Sequence, residues 1–521
     1  MRKKTYLIIL LLVISVLTAC TNKKLELSSE KDSKTVTIAI ASEGKGKYLD
    51  ATSYDSAMAL YGAVYEPLIT YAGQGTYKPG LAQRWEQSED GKTYTFYLKK
   101  HQKFSNGTEV TADAVKFTLE RAKFLNEMST LQTLTNLETI HIPDKYTVEL
   151  VFNQVSNQLL AELCQTRPLR IMSPDSVDTK KYDGKFEKAI GSGALCVEKS
   201  TDEQTIMTPN PYYRQNHPID YQVIFQTIPD ASSRFLAMKS GEVDIVGGTL
   251  GDLSTSDKDI LAKDHTFNSY DFAGTMTHFM AFNPGNEQLS QPIREGIATA
   301  INIAKLSDKK LEGLFQETVQ YVNQANQSAK IYDVEKAKAL FEKAGYQLNT
   351  AGYYEKNNIP LAFNLVIQTT EFPEWKEKAE LIEQYLKQVG VSVSIQIVDQ
   401  ESYYDRLWKT KKYDLIFYRT YTDALLPYYF LHSLFENQKE QSGILANDGV
   451  LTDLLKIYAK TSDKTKQQEI FQSIFKRIAD QTLAVPIDYK DECFVTSKKI
   501  SRFTYSGLSD APIDFSHLTV A

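Results

Sequence analysis

The clearest pattern of apolar and polar positions lies between Leu81 and Arg121. Tyr94, Phe96 and Leu98 alternate with Thr93, Thr95 and Tyr97, the two-residue period of a strand with one buried face. Asp90-Gly91 comes just before, and both residue types tolerate the positive φ of a two-residue hairpin turn. Asn106-Gly107 marks a second turn. Thr111 then stands where a helix N-cap belongs, and Asp113 falls in the first turn, where the helix dipole favours an acid. Val115, Leu119 and Ala122 share one helical face. The stretch predicts a hairpin packed on a helix.

The same reading extends along the chain. Residues 36–41 and 146–152 read as strands, 130–142 as helix or loop, and 157–165 as a helix. Pro168 disfavours helical geometry at Arg167, which places that arginine in an extended or turn segment. Gly191 and Gly193 read as a sharp reversal. Strands follow at 221–228 and 277–282, and helices at 231–240 and 293–303. Asp333 and Gly345 bracket a helix with a start and a stop signal. Next come a strand at 361–367, a helix at 374–389, a strand at 391–398, a helix at 402–409 and a strand at 413–419. This β-α-β-α-β order predicts a partly parallel sheet flanked by helices. Two helices, 449–460 and 464–480, and a strand, 484–489, complete the reading.

Length and composition narrow the class. A chain of 521 residues allows about three domains. With 42% hydrophobic and 24% charged residues it can bury a large core. The formal net charge is −6 and no basic stripe is present, so nucleic acid is not an expected partner. Arg2, Lys3 and Lys4 precede an apolar run, 6–17, too short for a membrane span and suited to a signal peptide. Leu17-Thr18-Ala19-Cys20 resembles a bacterial lipobox, which implies cleavage after residue 19 and a lipid on the Cys20 sulfur. Residues 20–34 then read as the lipidated Cys and a flexible tether. Cys164, Cys196 and Cys493 remain, with neither a disulfide framework nor a C-x-x-C spacing.

Catalytic signals are missing. The chain has no G-x-S-x-G, H-E-x-x-H or G-x-x-x-x-G-K-[ST], and its seven histidines form no i, i+4 pair. Bare-metal coordination needs several converging donors, and no cluster suggests them. Enzyme activity and a resident cofactor are not expected.

Taken as strings, S-E-D-G-K-T-Y-T-F-Y-L, K-F-S-N-G and T-A-D-A-V-K-F-T-L resemble the signature of solute-binding proteins of the peptide/nickel class of ABC importers. The resemblance implies an α/β, two-lobed periplasmic-binding-protein-like fold of type II with a hinged cleft. Lobe I would be 35–270, with 484–521 returning to it, and lobe II 271–483. It also implies an extracytoplasmic place, here through a lipid anchor, a monomer, and permease subunits as partners. Arg167-Pro168-Leu169-Arg170 resembles the R-P-F-R segment of nickel-class members, in which the first arginine grips carboxylates of a small chelator that carries the metal. A guanidinium suits that role as a permanent, planar fork of donors. Without the resemblance Arg167 would read as a structural arginine; Arg170 reads as structural in either case.

Tyr418-Arg419-Thr420-Tyr421 resembles the nickel-class H-R-T-W, which makes Arg419 a second carboxylate grip and Tyr421 the ring packed on the chelate. Ligands of open α/β sheets sit beyond strand C-terminal ends, where these residues fall. Two departures stand out. The histidine some nickel-class members offer the metal has no counterpart near 438–440. Asp423 falls near the acid with which peptide-binding relatives hold a free amino group. The expected cargo is therefore a nickel or related divalent-metal chelate, with an oligopeptide as the alternative and an adhesin or scaffold as a reading from another class.

Overall fold

The computed structural model describes residues 35–42, 49–54, 58–73, 75–127, 129, 131–213, 219–323, 329–420, 427–435, 443–445 and 448–521. The expected signal peptide, Cys20, the tether, Tyr421, Asp423 and the 438–440 stretch lie outside them. No helix among the described residues is long and apolar enough to cross a membrane.

The predicted hairpin and helix are present, with changes at their ends. Thr93–Leu98 buries Tyr94, Phe96 and Leu98 and pairs antiparallel with Ala82–Gln87. The turn is longer than two residues: Gly91 N–H donates to the Ser88 carbonyl, Gly91 alone takes positive φ (70°), and Asp90 Oδ1 accepts from Lys92 N–H. Thr111 has the extended backbone of an N-cap, but its hydroxyl makes no capping bond. Helix Ala112–Leu125 buries Val115, Leu119 and Ala122 as its periodicity required. The segment read as helix or loop holds a short helix, Gln132–Thr135, and then strand Leu137–Asp144, which pairs with Thr147–Phe152 and completes a four-stranded antiparallel sheet. Its burial is irregular and two register shifts interrupt it, so it carries no clean alternation. The helix expected at 157–165 shrinks to Leu159–Glu162.

Two larger sheets define the lobes. The first has seven strands, in the order Phe267–Phe272, Glu492–Ser497, Ile245–Gly247, Thr35–Ile40, Gln222–Thr227, Gln204–Pro209 and Leu195–Ser200. The second has five: Ser392–Ile397, Ala362–Ile367, Leu415–Arg419, Thr277–Phe282 and Ala484–Tyr489. As the β-α-β-α-β order required, Ala362–Ile367 runs parallel to both Ser392–Ile397 and Leu415–Arg419. Thr277–Phe282 is buried at every position, as a central strand covered on both faces must be.

Strand pairing corrects the expected lobe borders. Ala484–Tyr489 does not return to the first lobe; it is the edge strand of the second sheet, paired with Thr277–Phe282. Val485 and Ile487 lie in the second lobe's core. Pro486 fits because an edge strand with a register shift spares it a ladder hydrogen bond. At the other border, Asp271 and Phe272 still pair within the first sheet. The chain thus crosses between sheets at 273–276 and at 490–491. The crossings touch: Lys490 N–H donates to the Met276 carbonyl at 3.0 Å. Gly274 is required there, since a Cβ would stand 2.2 Å from the Lys490 carbonyl oxygen.

Gly191 and Gly193 act by close approach rather than by positive φ. A Cβ on Gly191 would lie 1.9 Å from the Val64 carbonyl oxygen, and one on Gly193 would lie 2.6 Å from that of Ala63. Gly191→Ala is therefore expected to cost roughly 1–3 kcal/mol of stability through forced backbone shifts. Urea unfolding checks this, and an unchanged midpoint would show that the contact relaxes freely.

Candidate functional site

The parallel strands of the second sheet end at one edge, beside the crossings. Arg419 is the last residue of Leu415–Arg419, and Thr420 N–H donates to the Thr277 carbonyl at 2.9 Å. The Arg419 side chain is only 5% exposed. One Nη donates to the Tyr404 hydroxyl at 3.1 Å, and the guanidinium carbon lies 5.1 Å from the Tyr418 ring centre and 5.9 Å from that of Phe372. Burial opposes its charge, but Tyr404, Tyr418 and Glu371 outweigh that and hold its pKa above the ordinary arginine value.

His278 faces Arg419 directly across the antiparallel pair, and Asp488 faces His278 on the other side. His278 is fully buried. Its Nδ1 accepts from Trp375 Nε1 at 3.0 Å. An indole N–H can only donate, so the neutral ring carries its proton on Nε2, which lies 3.2 Å from Met276 Sδ. Phe372 packs edge-on against it at 4.8 Å. Burial, then the charges of Lys490 and Lys378, push its pKa well below the ordinary histidine value.

An ion cluster ties this edge to the first lobe. Lys490, in the second crossing, lies 3.1 Å from Asp252 Oδ2 of the first lobe and 2.8 Å from Glu374 Oε1 of the second. Lys258 pairs with Asp252 at 2.6 Å, and Lys378 with Asp488 at 3.2 Å. The lobes also meet far along the chain from this cluster. Asn157 Nδ2 donates to the carbonyls of Tyr458 and Thr461, and Gln158 Nε2 to the Tyr458 hydroxyl at 3.1 Å. Tyr429 packs against the cores of both lobes.

Arg167 belongs to the first lobe's side of this meeting. It is half-buried, donates through Nη1 to the Tyr54 carbonyl at 2.6 Å, and lies 5.1 Å from the Tyr54 ring centre. Tyr54 is 46% exposed and lies within electrostatic reach of both Arg167 and Tyr429. Arg170 is structural: its Nε and Nη1 donate to the carbonyls of Gln165 and Tyr65, and burial pushes its pKa down to about 10. Arg167 and Arg419 thus occupy opposite lobes, each with its own aromatic neighbours. Cys164, Cys196 and Cys493 are free thiols. Among the described residues no three His, Cys, Asp or Glu converge as a ligand set for a bare ion.

Motif spacing did not reveal His278, Tyr404, Glu371, Lys490, Glu374 or Asp252, because they converge from distant parts of the chain. One signal was available for His278: it stands directly before the apolar run Phe279–Phe282 of a central strand.

The family model for bacterial extracellular solute-binding proteins, family 5, matches residues 76–442, and the chain belongs to this family of binding proteins, which are not enzymes. The chain is a solute-binding protein of an ABC importer and acts outside the cytoplasm. It is similar to the nickel-binding periplasmic protein of Escherichia coli K12, with 27% identity over 86% of this chain and 87% of that one. Its fold is similar to that of NikA from Brucella suis in complex with Fe(III)-EDTA, with a TM-score of 0.85, 24% identity, and coverage of 94% of this chain and all of that one. It is also similar to that of the oligopeptide-binding protein AppA of Bacillus subtilis in complex with a nonapeptide, with a TM-score of 0.78, 16% identity, and coverage of 94% and 99%.

A histidine held neutral by its surroundings takes up a proton on unfolding. His278 therefore contributes a loss of stability as pH falls below about 6.5, the unfolded histidine value. Thermal melts from pH 7.5 to 5 are expected to fall more steeply for the wild type than for His278→Gln. Parallel curves would show that His278 is protonated in the fold.

Proposed function

We propose that the protein captures a chelate of nickel or a related divalent metal between its lobes and delivers it to membrane permease subunits. The observation that carries this reading is Arg419, a buried guanidinium at the C-terminal end of a central parallel strand, beside the crossings. A guanidinium there is a permanent, planar fork of donors, suited to grip a carboxylate of the carrier bidentately. In this reading Arg167 is the first lobe's grip, and Tyr54 and Tyr429 offer aromatic surface to the carrier. Closure is what brings both arginines to one cargo. Tyr421 packs on the chelate in this reading, and Asp423 meets an amine of the carrier. The nickel-binding relative supports the metal, and the resemblance of R-P-L-R and R-T-Y to nickel-class strings supports the two grips.

An oligopeptide cargo is the second reading, favoured by Asp423 and by the likeness to a peptide-binding fold. Mass spectrometry of whatever co-purifies separates the two, since a peptide mixture would end the chelate reading. The protein acts as a monomer, anchored by lipid on Cys20 at the outer face of the bacterial cell membrane. Cys20→Ala is expected to move it from the membrane fraction to the soluble one, and retention in the membrane would refute the anchor.

Removing one member of a buried charged contact should cost roughly 2–5 kcal/mol of binding, tens- to thousands-fold in affinity. Arg167→Ala and Arg419→Ala should each show this by calorimetry with nickel and histidine as the probe. Wild-type affinity in both variants would overturn the assignment.

A further inference from the structure

Arg419 is held by a relay with a negative end. The Tyr404 hydroxyl accepts from an Arg419 Nη at 3.1 Å and donates its proton to Glu371 Oε2 at 2.9 Å. Glu371 is itself fixed on two sides. The fully buried Gln368 donates from Nε2 to Glu371 Oε2 at 2.8 Å, and its Oε1 accepts from the Glu371 backbone N–H at 2.9 Å. The four residues reach the same sheet edge by three routes. Gln368 and Glu371 follow strand Ala362–Ile367, Tyr404 lies on helix Gln400–Asp405 after strand Ser392–Ile397, and Arg419 ends Leu415–Arg419.

Among the described residues the charges of the ion cluster pair off. Lys258, Lys378 and Lys490 are matched by Asp252, Glu374 and Asp488, and His278 is neutral. Glu371 adds a fixed carboxylate one phenol away from Arg419. A cargo carboxylate that docks on Arg419 comes within the field of a fixed carboxylate that cannot move away.

We propose that Glu371, acting through the Tyr404 hydroxyl, is a specificity-determining residue that makes the Arg419 end of the cleft a charge filter. It accepts a carboxylate whose carrier is neutral overall and disfavours a polyanion. The proposal rests on the reading of Arg419 as a carboxylate grip. Tyr404 is a positioning residue in it, since its hydroxyl fixes both the angle of the guanidinium and its distance from Glu371. In a partly buried site each extra negative charge on the cargo is resisted by Glu371 about tenfold in affinity.

The test compares two pairs of probes by calorimetry on wild type, Glu371→Gln and Tyr404→Phe. One pair is the neutral bis(histidine)nickel and the dianionic nickel–EDTA. The other is trialanine and a tripeptide of the same length carrying one glutamate. Glutamine keeps an acceptor for the Tyr404 proton, so the variant should fold, with a lower melting temperature because a carboxylate near a buried guanidinium is lost. Glu371→Gln is expected to shift the affinity ratio about tenfold toward the more anionic member of whichever pair binds wild type. Tyr404→Phe should weaken both members of that pair. If wild type binds either pair and Glu371→Gln leaves the ratio unchanged, the filter is refuted while the grip stands. If wild type binds no member of either pair, the grip is refuted and the filter with it.

Discussion

A buried lysine at the junction of the lobes is the constraint on which the rest depends. Lys490 sits in the short second crossing and reaches an acid of each lobe, Asp252 and Glu374. Burial opposes its charge, but Asp252 and Glu374 hold its pKa well above the ordinary lysine value. Such a cluster adds little net stability, because desolvating ions consumes most of their attraction. Its consequence is geometric: an ion left behind by a change of lobe angle would be unpaired in a low-dielectric site. The cluster therefore favours one relative position of the lobes, the one in which Asn157 and Gln158 also reach Tyr458.

That geometry reaches Arg419 through one segment. Glu374 is the N-cap residue of helix Trp375–Gln388. Just before it stand Phe372, which packs on His278 and faces Arg419, and Glu371, which binds Tyr404. Trp375, fully buried, fixes the His278 tautomer from the helix's first position. The same short stretch thus touches the ion cluster at one end and the Arg419 surroundings at the other. Arg419 sits at the ends of parallel strands because loops there converge from several strands. Its permanent charge is supported there by the Tyr404 hydroxyl, which accepts from the guanidinium, and by the Glu371 carboxylate, which accepts from that phenol.

Much of this was legible in residue order. The alternation of Tyr94, Phe96 and Leu98 specifies a half-buried strand whatever surrounds it, since the pleat alone sets the period. Val115, Leu119 and Ala122 specify a helical face in the same way. The strand and helix order from residue 361 to Arg419 determines a parallel arrangement, because parallel neighbours need a crossover between them. Arg167 and Arg419 stand out through the strings around them. Tertiary context overrode the reading wherever local signals were weak or ambiguous. Asp90-Gly91 allowed a two-residue turn, but the register of the flanking strands takes a longer one. Strand Leu137–Asp144 lacks alternation and forms because its neighbour offers an open edge.

The sequence by itself determined which segments are strands or helices, the family of the chain and the two arginines most worth testing. Those properties follow from periodicity and short-range chemistry, which are written along the chain. Only the tertiary structure decided that Ala484–Tyr489 stays in the second lobe, that Gly191 is needed for the Val64 carbonyl, and that Glu371 and Tyr404 stand behind Arg419. It also decided that Lys490 joins acids from both lobes. These facts depend on which surfaces meet when residues from 15 to more than 200 positions apart pack together, and no local pattern encodes such a meeting.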